Sequence, residues 1–565
     1  MQITGKKVMI LGGYGLVGRA VVFELLQHKP AEMILTSLFQ KEAEAAAAEF
    51  RGCGIPLHAE WGNIFVREEY KDLPREEILK DDKKRNVFLR DIMESLDEEM
   101  LSSSCLYRLI SKYQPDIIID CINSATTFAY QDIYSGYYQV KQKLQKWDES
   151  GTPPEGLRCE VEKYLGTAYI PQLIRHIQIL YDALMRFRVS SYIKIGTSGT
   201  GGMGLNIPYT HSEERPSRVL LSKTSLAGAH SLLLFLMARS SNAPNIKEIK
   251  PATAIAWKKI GYGEVMRKGK PIPLYDCPPE NALELGKTLK RGAAANCQPT
   301  GKNLEEVFID TGENGIFSYG EFYTITGYGQ MQFVTPEEIA KNVIAEIIGG
   351  NTGRDVIGAL DAAVMGSTYR AGYMRQAALD RMEELLKEHQ TDSVAFENLG
   401  PPRLSKLLFE AHLLKLTGKT LTGVLNFSTA ELSKRLWEIL RSDSALRSKI
   451  VSIGIPILLP DGKKTLTGAS MKIPPFKDKE ELPVTADNIE DWAFNGWVDL
   501  RESNMRVWQS WLSQIKHYLE SIDAGDTSSR YHHGLQYWKL DEELHPGKLA
   551  IWVFINVDKG ERVKD

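Results

Sequence analysis

Four glycines near the start of the chain, Gly12, Gly13, Gly15 and Gly18, satisfy two overlapping spacings, GxxGxxG from Gly12 and GxGxxG from Gly13. The pattern suits a pyrophosphate. The first glycine permits a tight strand-to-helix turn, the middle one lets backbone approach the phosphates, and the last lets the helix pack on the strand. Tyr14, Leu16 and Val17 then belong to the same loop and first helical turn, whose N–H groups face the anion. After the second strand, a dinucleotide site of this kind commonly carries an acid for the ribose 2′-hydroxyl. Here the stretch reads Leu35, Thr36, Ser37, Leu38, with no acid before Glu42 and with Lys41 nearby. Of NADP and NAD this favours NADP, because no carboxylate repels a 2′-phosphate and the hydroxyls of Thr36 and Ser37 can bond to it.

The elements around these residues follow from hydrophobic periodicity. Between Lys6 and Glu49 the order is strand, glycine turn, helix, strand, helix, a βαβ unit opening the chain. A strand-like run at Ile117–Cys121 follows Pro115, and another at Tyr192–Ile195 follows a long amphipathic stretch, Val161–Arg188. Alternating strands and helices predict an α/β fold, a doubly wound, parallel, Rossmann-like sheet. Between Val66 and Leu101 the chain interleaves 8 basic and 12 acidic side chains, read as an inserted, exposed helical excursion with a solvated face. Thr335, Pro336 and Glu338 specify a helix start by N-cap, first-turn proline and capping box.

Composition changes again past Gln390. Seven of the ten tryptophans lie between Trp437 and Trp552, more consistent with packing than with a ligand cage. Helices are expected at about Leu404–Leu416 and Thr429–Arg441, and strands at IVSIGIPILL and LAIWVFINV. The resulting division is residues 1–260 for the sheet with its charged insertion at 66–101, 261–395 for a smaller substrate-binding part and closing helices, and 396–565 for a mixed α+β region.

Length and composition exclude several classes. The 565 residues, 43% apolar and 25% charged, describe a globular chain of two or three units. A formal charge of −3 lacks the basic excess that nucleic acid requires. The apolar run at 231–238 is short for a membrane span, and the start has no secretory signature, so a soluble, cytoplasmic protein without membrane contact is expected. The six cysteines form no CxxC pair, and no HExxH, GxxxxGK[ST], EF-hand or GxSxG pattern is present. No metal is called for.

The glycine loop, the INSA run at 122–125 and KIGTSG at 194–199, followed by Ser222 and Lys223, resemble the short-chain dehydrogenase/reductase superfamily. The segment NIPYTHSEERPSRVLLSKTSLAGAH at 206–230 resembles its extended, epimerase/dehydratase-like style, in which a proline-bearing loop leads into the active-site helix. The resemblance covers residues 1–260. It implies NAD(P)-dependent chemistry on a small organic substrate, with Asn123 beside the cofactor, Lys223 at the nicotinamide ribose, and Thr197 or Ser198 on the substrate oxygen. It also implies a homodimer formed through Val161–Arg188 and Arg218–Arg239. The family's proton donor is a Tyr four residues before the Lys, and that position holds Val219. Valine cannot exchange a proton. Tyr209 or His211 could supply it, the hydroxyls with Lys223 could suffice, or the domain could be a non-catalytic dinucleotide-binding scaffold or sensor.

Overall fold

A computed structural model describes residues 1–131, 133–197, 218–240, 243–267, 269–290, 297–312, 315–327, 333–358, 364–398, 402–475, 481–523, 525–526 and 538–558. The chain forms two compact units. One gathers Met1–Gly204, Pro216–Ala256 and Gln332–Met374, the other Leu205–Arg215, Trp257–Met331 and Arg375–Asp565. The divisions expected at 260 and 395 are consecutive along the chain, whereas each compact unit assembles distant stretches.

In the first unit the elements run β1 (Lys7–Leu11), α1 (Leu16–Leu26), β2 (Glu32–Ser37), α2 (Gln40–Glu49), β3 (Leu57–Trp61), α3 (Arg75–Lys80), α4 (Asp82–Met93), α5 (Glu98–Ser103) and α6 (Cys105–Tyr113). They continue through β4 (Ile117–Asp120), α7 (Ser124–Ala129), α8 (Ile133–Ser150), α9 (Leu157–Gly166), α10 (Tyr169–Arg186), β5 (Ser191–Ile195), α11 (Arg218–Ala238) and β6 (Asn245–Pro251). The strands form one parallel sheet in the order β3-β2-β1-β4-β5-β6, extended by Val364–Met365 beside β6. Val8 sits opposite Met33 on one side and Ile117 on the other, so strand order reverses at β1. In open α/β sheets the crevice at such a reversal is where ligands bind.

Both faces of the sheet are covered, which explains why β1 reads as an unbroken apolar run. On one face Val8 and Ile10 pack with Val21, Val22 and Leu25 of α1 and with Ile339, Val343 and Ile344 of the helix Pro336–Ile347. Each such side chain contributes roughly 1.5–3 kcal/mol by leaving water. That helix begins with the expected capping box, Thr335 with Glu338. On the other face Met9, Ile118 and Tyr192 pack with Leu109 of α6, Phe128 of α7, Leu180 of α10, and Leu226 and Leu234 of α11. Leu220–Ala238 within α11 has the length and apolar character of a membrane span, a longer stretch than the run at 231–238, and 44% of it is buried in the protein.

The charged segment is helical as expected but is not simply solvated. Tyr70, Ile78, Phe88 and Ile92 form a cluster of their own, and Arg67 and Arg85 are buried against acids. The stretch read as one amphipathic run at 161–188 is two helices, α9 and α10.

In the second unit, Lys259–Glu264, Glu305–Asp310 and Ile316–Ser318 form an antiparallel sheet. The helix Arg403–Gly418 is buried from Arg403 to Leu414, around ion pairs of Arg403 with Asp558 and Lys406 with Glu410. Trp497 and Trp508 are core residues, and Trp508 Nε1 donates to Glu410 Oε2 at 2.7 Å. The helix Thr429–Ser442 agrees with expectation. Two strand assignments do not. LAIWVFINV lies in the helix Pro546–Asn556 but for its last residue, and IVSIGIPILL begins in the last turn of the helix Ser444–Ser452, with only Ile457–Leu458 in a strand. A helix buried on most sides lacks polar alternation, so an apolar run cannot distinguish it from a buried strand.

Candidate active site

The glycine loop joins β1 to α1 at the strand reversal. Gly12 has φ +79°, a conformation reserved largely for glycine. Its N–H donates to Thr36 Oγ1 at 3.3 Å, and the Gly13 N–H donates to the Thr36 carbonyl at 2.8 Å. Thr36 is 3% exposed and therefore anchors the loop to β2. A Cβ on Gly18 would lie 2.3 Å from the Gly12 carbonyl oxygen, so that glycine is demanded by helix-on-loop packing. Gly15 is different. Its φ is −62°, and a Cβ there would meet only the Gly12 oxygen, at 3.4 Å. Neither backbone strain nor protein packing requires glycine at 15. The open space lies over the first turn of α1, Leu16 and Val17, whose N-cap is Gly15 with no side-chain cap. A diphosphate fits such a cradle. Tyr14 and Val17 are half-buried against the core of the α1 face.

At the end of β2, Ser37 Oγ donates to Glu42 Oε2 at 2.6 Å. A carboxylate therefore does stand there, delivered from the first turn of α2. Beyond it Leu38 and Phe39 are 50% and 62% exposed, an apolar shelf at the strand end. Asn123 accepts from the Thr126 N–H at 3.2 Å and so caps α7. The loop between β4 and α7 also touches the glycine turn, since a Cβ on Gly12 would lie 3.4 Å from Ile122.

Lys223 is 3% exposed, on the face of α11 that also carries Leu226, Ala227 and His230 toward the sheet. Val219 precedes it by one helical turn. Thr197 follows β5 at the same carboxyl edge, with its carbonyl accepting from Lys250 Nζ at 2.6 Å. Ser198, Tyr209 and His211 lie outside the described residues. Two phenols that the sequence reading missed do approach this helix end. The Tyr134 hydroxyl, on α8, is 3.3 Å from Ser222 Oγ, and the Tyr169 hydroxyl, on α10, is 3.4 Å from it. Ser222 adjoins Lys223 and is one turn beyond Val219. No motif spacing links residues 134, 169 and 222, so only tertiary structure could reveal them.

Beneath this edge the sheet buries charge. Asp120 of β4 accepts from the Tyr192 hydroxyl at 2.7 Å and pairs with Lys194 Nζ at 2.9 Å, and all three are at most 1% exposed. Lys194 also donates to Ser124 Oγ at 3.3 Å. On β6, Glu248 pairs with Lys250 at 2.9 Å. His176 of α10 and His230 of α11 close over this cluster with ring centroids 6.3 Å apart. Burial pushes the His176 imidazole down to about 4 and the His230 imidazole below its usual range, helped by the Lys194 charge, so both are neutral at pH 7.

Residues 274–558 match the family described as the beta-methylindole-3-pyruvate reductase C-terminal domain. No curated protein sequence matches the chain significantly. Solved structures similar to it include Pen from Bacillus thuringiensis, at 11% identity over 45% of this chain and 53% of that one, with a TM-score of 0.23. Others are a short-chain dehydrogenase/reductase from Serratia marcescens, at 11% over 45% and 76% (TM-score 0.24), and a 7α-hydroxysteroid dehydrogenase complexed with NADH and 7-oxo glycochenodeoxycholic acid, at 14% over 45% and 72% (TM-score 0.25). The chain thus spans about half the length of Pen. The fold assignment rests on the strand order, not on these distant likenesses.

Proposed function

Because the chain belongs to the beta-methylindole-3-pyruvate reductase C-terminal domain family, we propose that it is a nicotinamide-dinucleotide-dependent reductase of a 2-oxo acid, built on a unit of short-chain dehydrogenase/reductase type. The observation that carries this reading is the cradle over α1, where Gly15 is glycine although nothing in the protein requires it. A reduced nicotinamide supplies a hydride to a carbonyl carbon. The chain must supply a proton to the carbonyl oxygen and hold both partners in register. Lys223 brings a cation to the carboxyl edge, Thr197 or Ser198 a hydroxyl for the oxygen, and Tyr134 or Tyr169 a phenol in place of the one absent at Val219. The carboxylate held by Ser37 supports NAD rather than the NADP favoured by sequence, since it accepts a ribose 2′-hydroxyl and repels a 2′-phosphate. The extended, epimerase/dehydratase-like style enters this proposal only as a sheet unit combined with a second unit.

Val219 supports the other reading, a dinucleotide-binding scaffold or sensor without turnover. Fluorescence titration with NADH and NADPH, followed by NADH consumption with phenylpyruvate, separates the readings. Binding with turnover supports the reductase, and binding without turnover supports the scaffold. Absence of binding at tens of micromolar overturns both. For the assembly we propose a homodimer through α10 and α11, where Ile170, Ile174, Leu221, Leu232 and Leu236 are 40–67% exposed. Leu236→Glu is expected to give a monomer by sedimentation.

A further inference from the structure

The charged segment 66–101 closes a cavity of about 500 Å³ against α7 and the start of α10. Its position in the sheet unit is at the carboxyl edge, because Asn63 follows β3, α7 follows β4, and α10 leads back into β5. Phe65, Phe88, Phe128 and Tyr130 make much of its wall, with the Phe65 and Phe128 rings 4.8 Å apart. The wall carries one cation, Arg75, and one carboxylate, Glu76, which is exposed. Arg75 stands apart from the other arginines of its segment. Arg67 is paired with Asp91 and Glu99, Arg85 with Asp82 and Glu162, and Arg90 with Asp97. Arg75 has no carboxylate in salt-bridge reach among the described residues. Among the described residues it donates only to the Gly166 carbonyl, with its guanidinium 4.9 Å from the Phe88 ring. Burial pushes it down to about 10. Arg175, 8% exposed, also has no carboxylate in salt-bridge reach among the described residues, Asp91 and Asp97 acting on it only at longer range, and its Nε is unpartnered.

A partly desolvated guanidinium with no paired carboxylate, its acidic neighbour Glu76 being exposed and out of salt-bridge reach, is unfavourable unless a ligand supplies a partner. Aromatic walls select a flat apolar body, and the volume is that of a small-molecule site. We propose that this cavity binds an aromatic carboxylate, with Arg75 as the partner of its carboxylate group and Phe65, Phe88 and Phe128 around its ring. The inference deepens the reductase reading and rests on it for the role of substrate site. Tyr130 on the cavity wall lies four residues before Tyr134, which reaches Ser222 beside Lys223. The sequence read this segment as a solvated excursion because its charges were counted without their pairing.

Calorimetric titration of the full chain with indole-3-acetate and with indole-3-acetamide tests the cavity without turnover. The carboxylate is expected to bind at least ~10-fold more tightly than the amide, the scale of one charge-assisted pair. Arg75→Met should abolish that preference, Arg75→Lys should keep part of it, and Phe88→Ala should weaken both ligands. Equal affinity of wild type and Arg75→Met for indole-3-acetate, or no binding by wild type, overturns the proposal. Circular dichroism of each variant confirms folding, and if Arg75→Met is unfolded the decision passes to Arg75→Lys, whose unchanged preference overturns it. Arg75-dependent binding in a protein that never oxidises NADH leaves the cavity standing and removes the reductase. Turnover of phenylpyruvate that ignores Arg75→Met does the reverse.

Discussion

Ser37 Oγ donates to Glu42 Oε2 at 2.6 Å, and this one bond returns a carboxylate to the end of β2 from five residues further along the chain. Dinucleotide preference should follow it. Wild type is expected to bind NADH at least ~10-fold more tightly than NADPH, about 1.4 kcal/mol of repulsion between a carboxylate and a 2′-phosphate. Glu42→Ala should narrow that ratio mainly by strengthening NADPH binding, and Ser37→Ala should do so in part. Paired fluorescence titrations measure both, and a wild-type preference for NADPH contradicts the role given to Glu42.

Gly15 and Gly18 should separate binding from folding. Gly15→Val places its side chain in open space, so the melting temperature should hardly change while NADH affinity falls at least ~10-fold as the phosphate cradle fills. Gly18→Val drives Cβ into the Gly12 carbonyl and is expected to destabilise the unit by about 1–3 kcal/mol, the range of overpacking. Thermal melts beside titrations check the contrast.

Proton delivery is open to a direct comparison. Lys223→Met is expected to lower kcat at least ~100-fold with NADH binding less affected, within the usual range for acid–base groups. Of Tyr134→Phe and Tyr169→Phe, one should cause a similar loss and alter the pH profile of kcat. If neither does, the hydroxyl of Ser222 is approached by these phenols for packing alone.

The buried imidazole of His176 ties stability to pH. Its folded value, about 4, lies below the unfolded value of 6.5, so the unfolded chain binds the proton more readily between those limits. Stability is therefore full above about pH 6.5, falls as pH drops towards 4, and changes no further on this account below it. The loss at pH 5 relative to pH 7.5 is about 2 kcal/mol from this residue. The charged neighbours, Asp120 and Lys194, act in opposite directions, and His230 shifts in the same sense as His176. Urea unfolding of wild type and His176→Phe at the two pH values should show a smaller pH dependence in the variant.

The sheet was legible because its signals are local. KVMIL, the glycines after it, and the runs at 117 and 192 each declare a strand or turn within a few residues, and the capping box at Thr335 does the same for a helix. Partnerships across long sequence distances were not legible. The carboxylate at β2 looked absent because Glu42 sits on the next helix, and Tyr134 and Tyr169 reach Ser222 from 88 and 53 residues away. Asp120, Tyr192 and Lys194 stand in runs that read as plain strands, and only the pairing of β4 with β5 brings their side chains together. The helix at Pro546–Asn556 was misread because burial on most sides erases the periodicity that identifies a helix.

The helix Pro336–Ile347 covers α1, yet it is encoded more than three hundred residues after it. Synthesis is directional, and at ~5–20 residues per second the interval between the two helices is roughly 15–60 s. Throughout that time α1 can pack on the strands but lacks the part of its native cover that Ile339, Val343 and Ile344 provide. The helix that follows the glycine loop is thus made long before the one that completes its packing, which assigns protection of that nascent apolar face to chaperones or to transient non-native contacts.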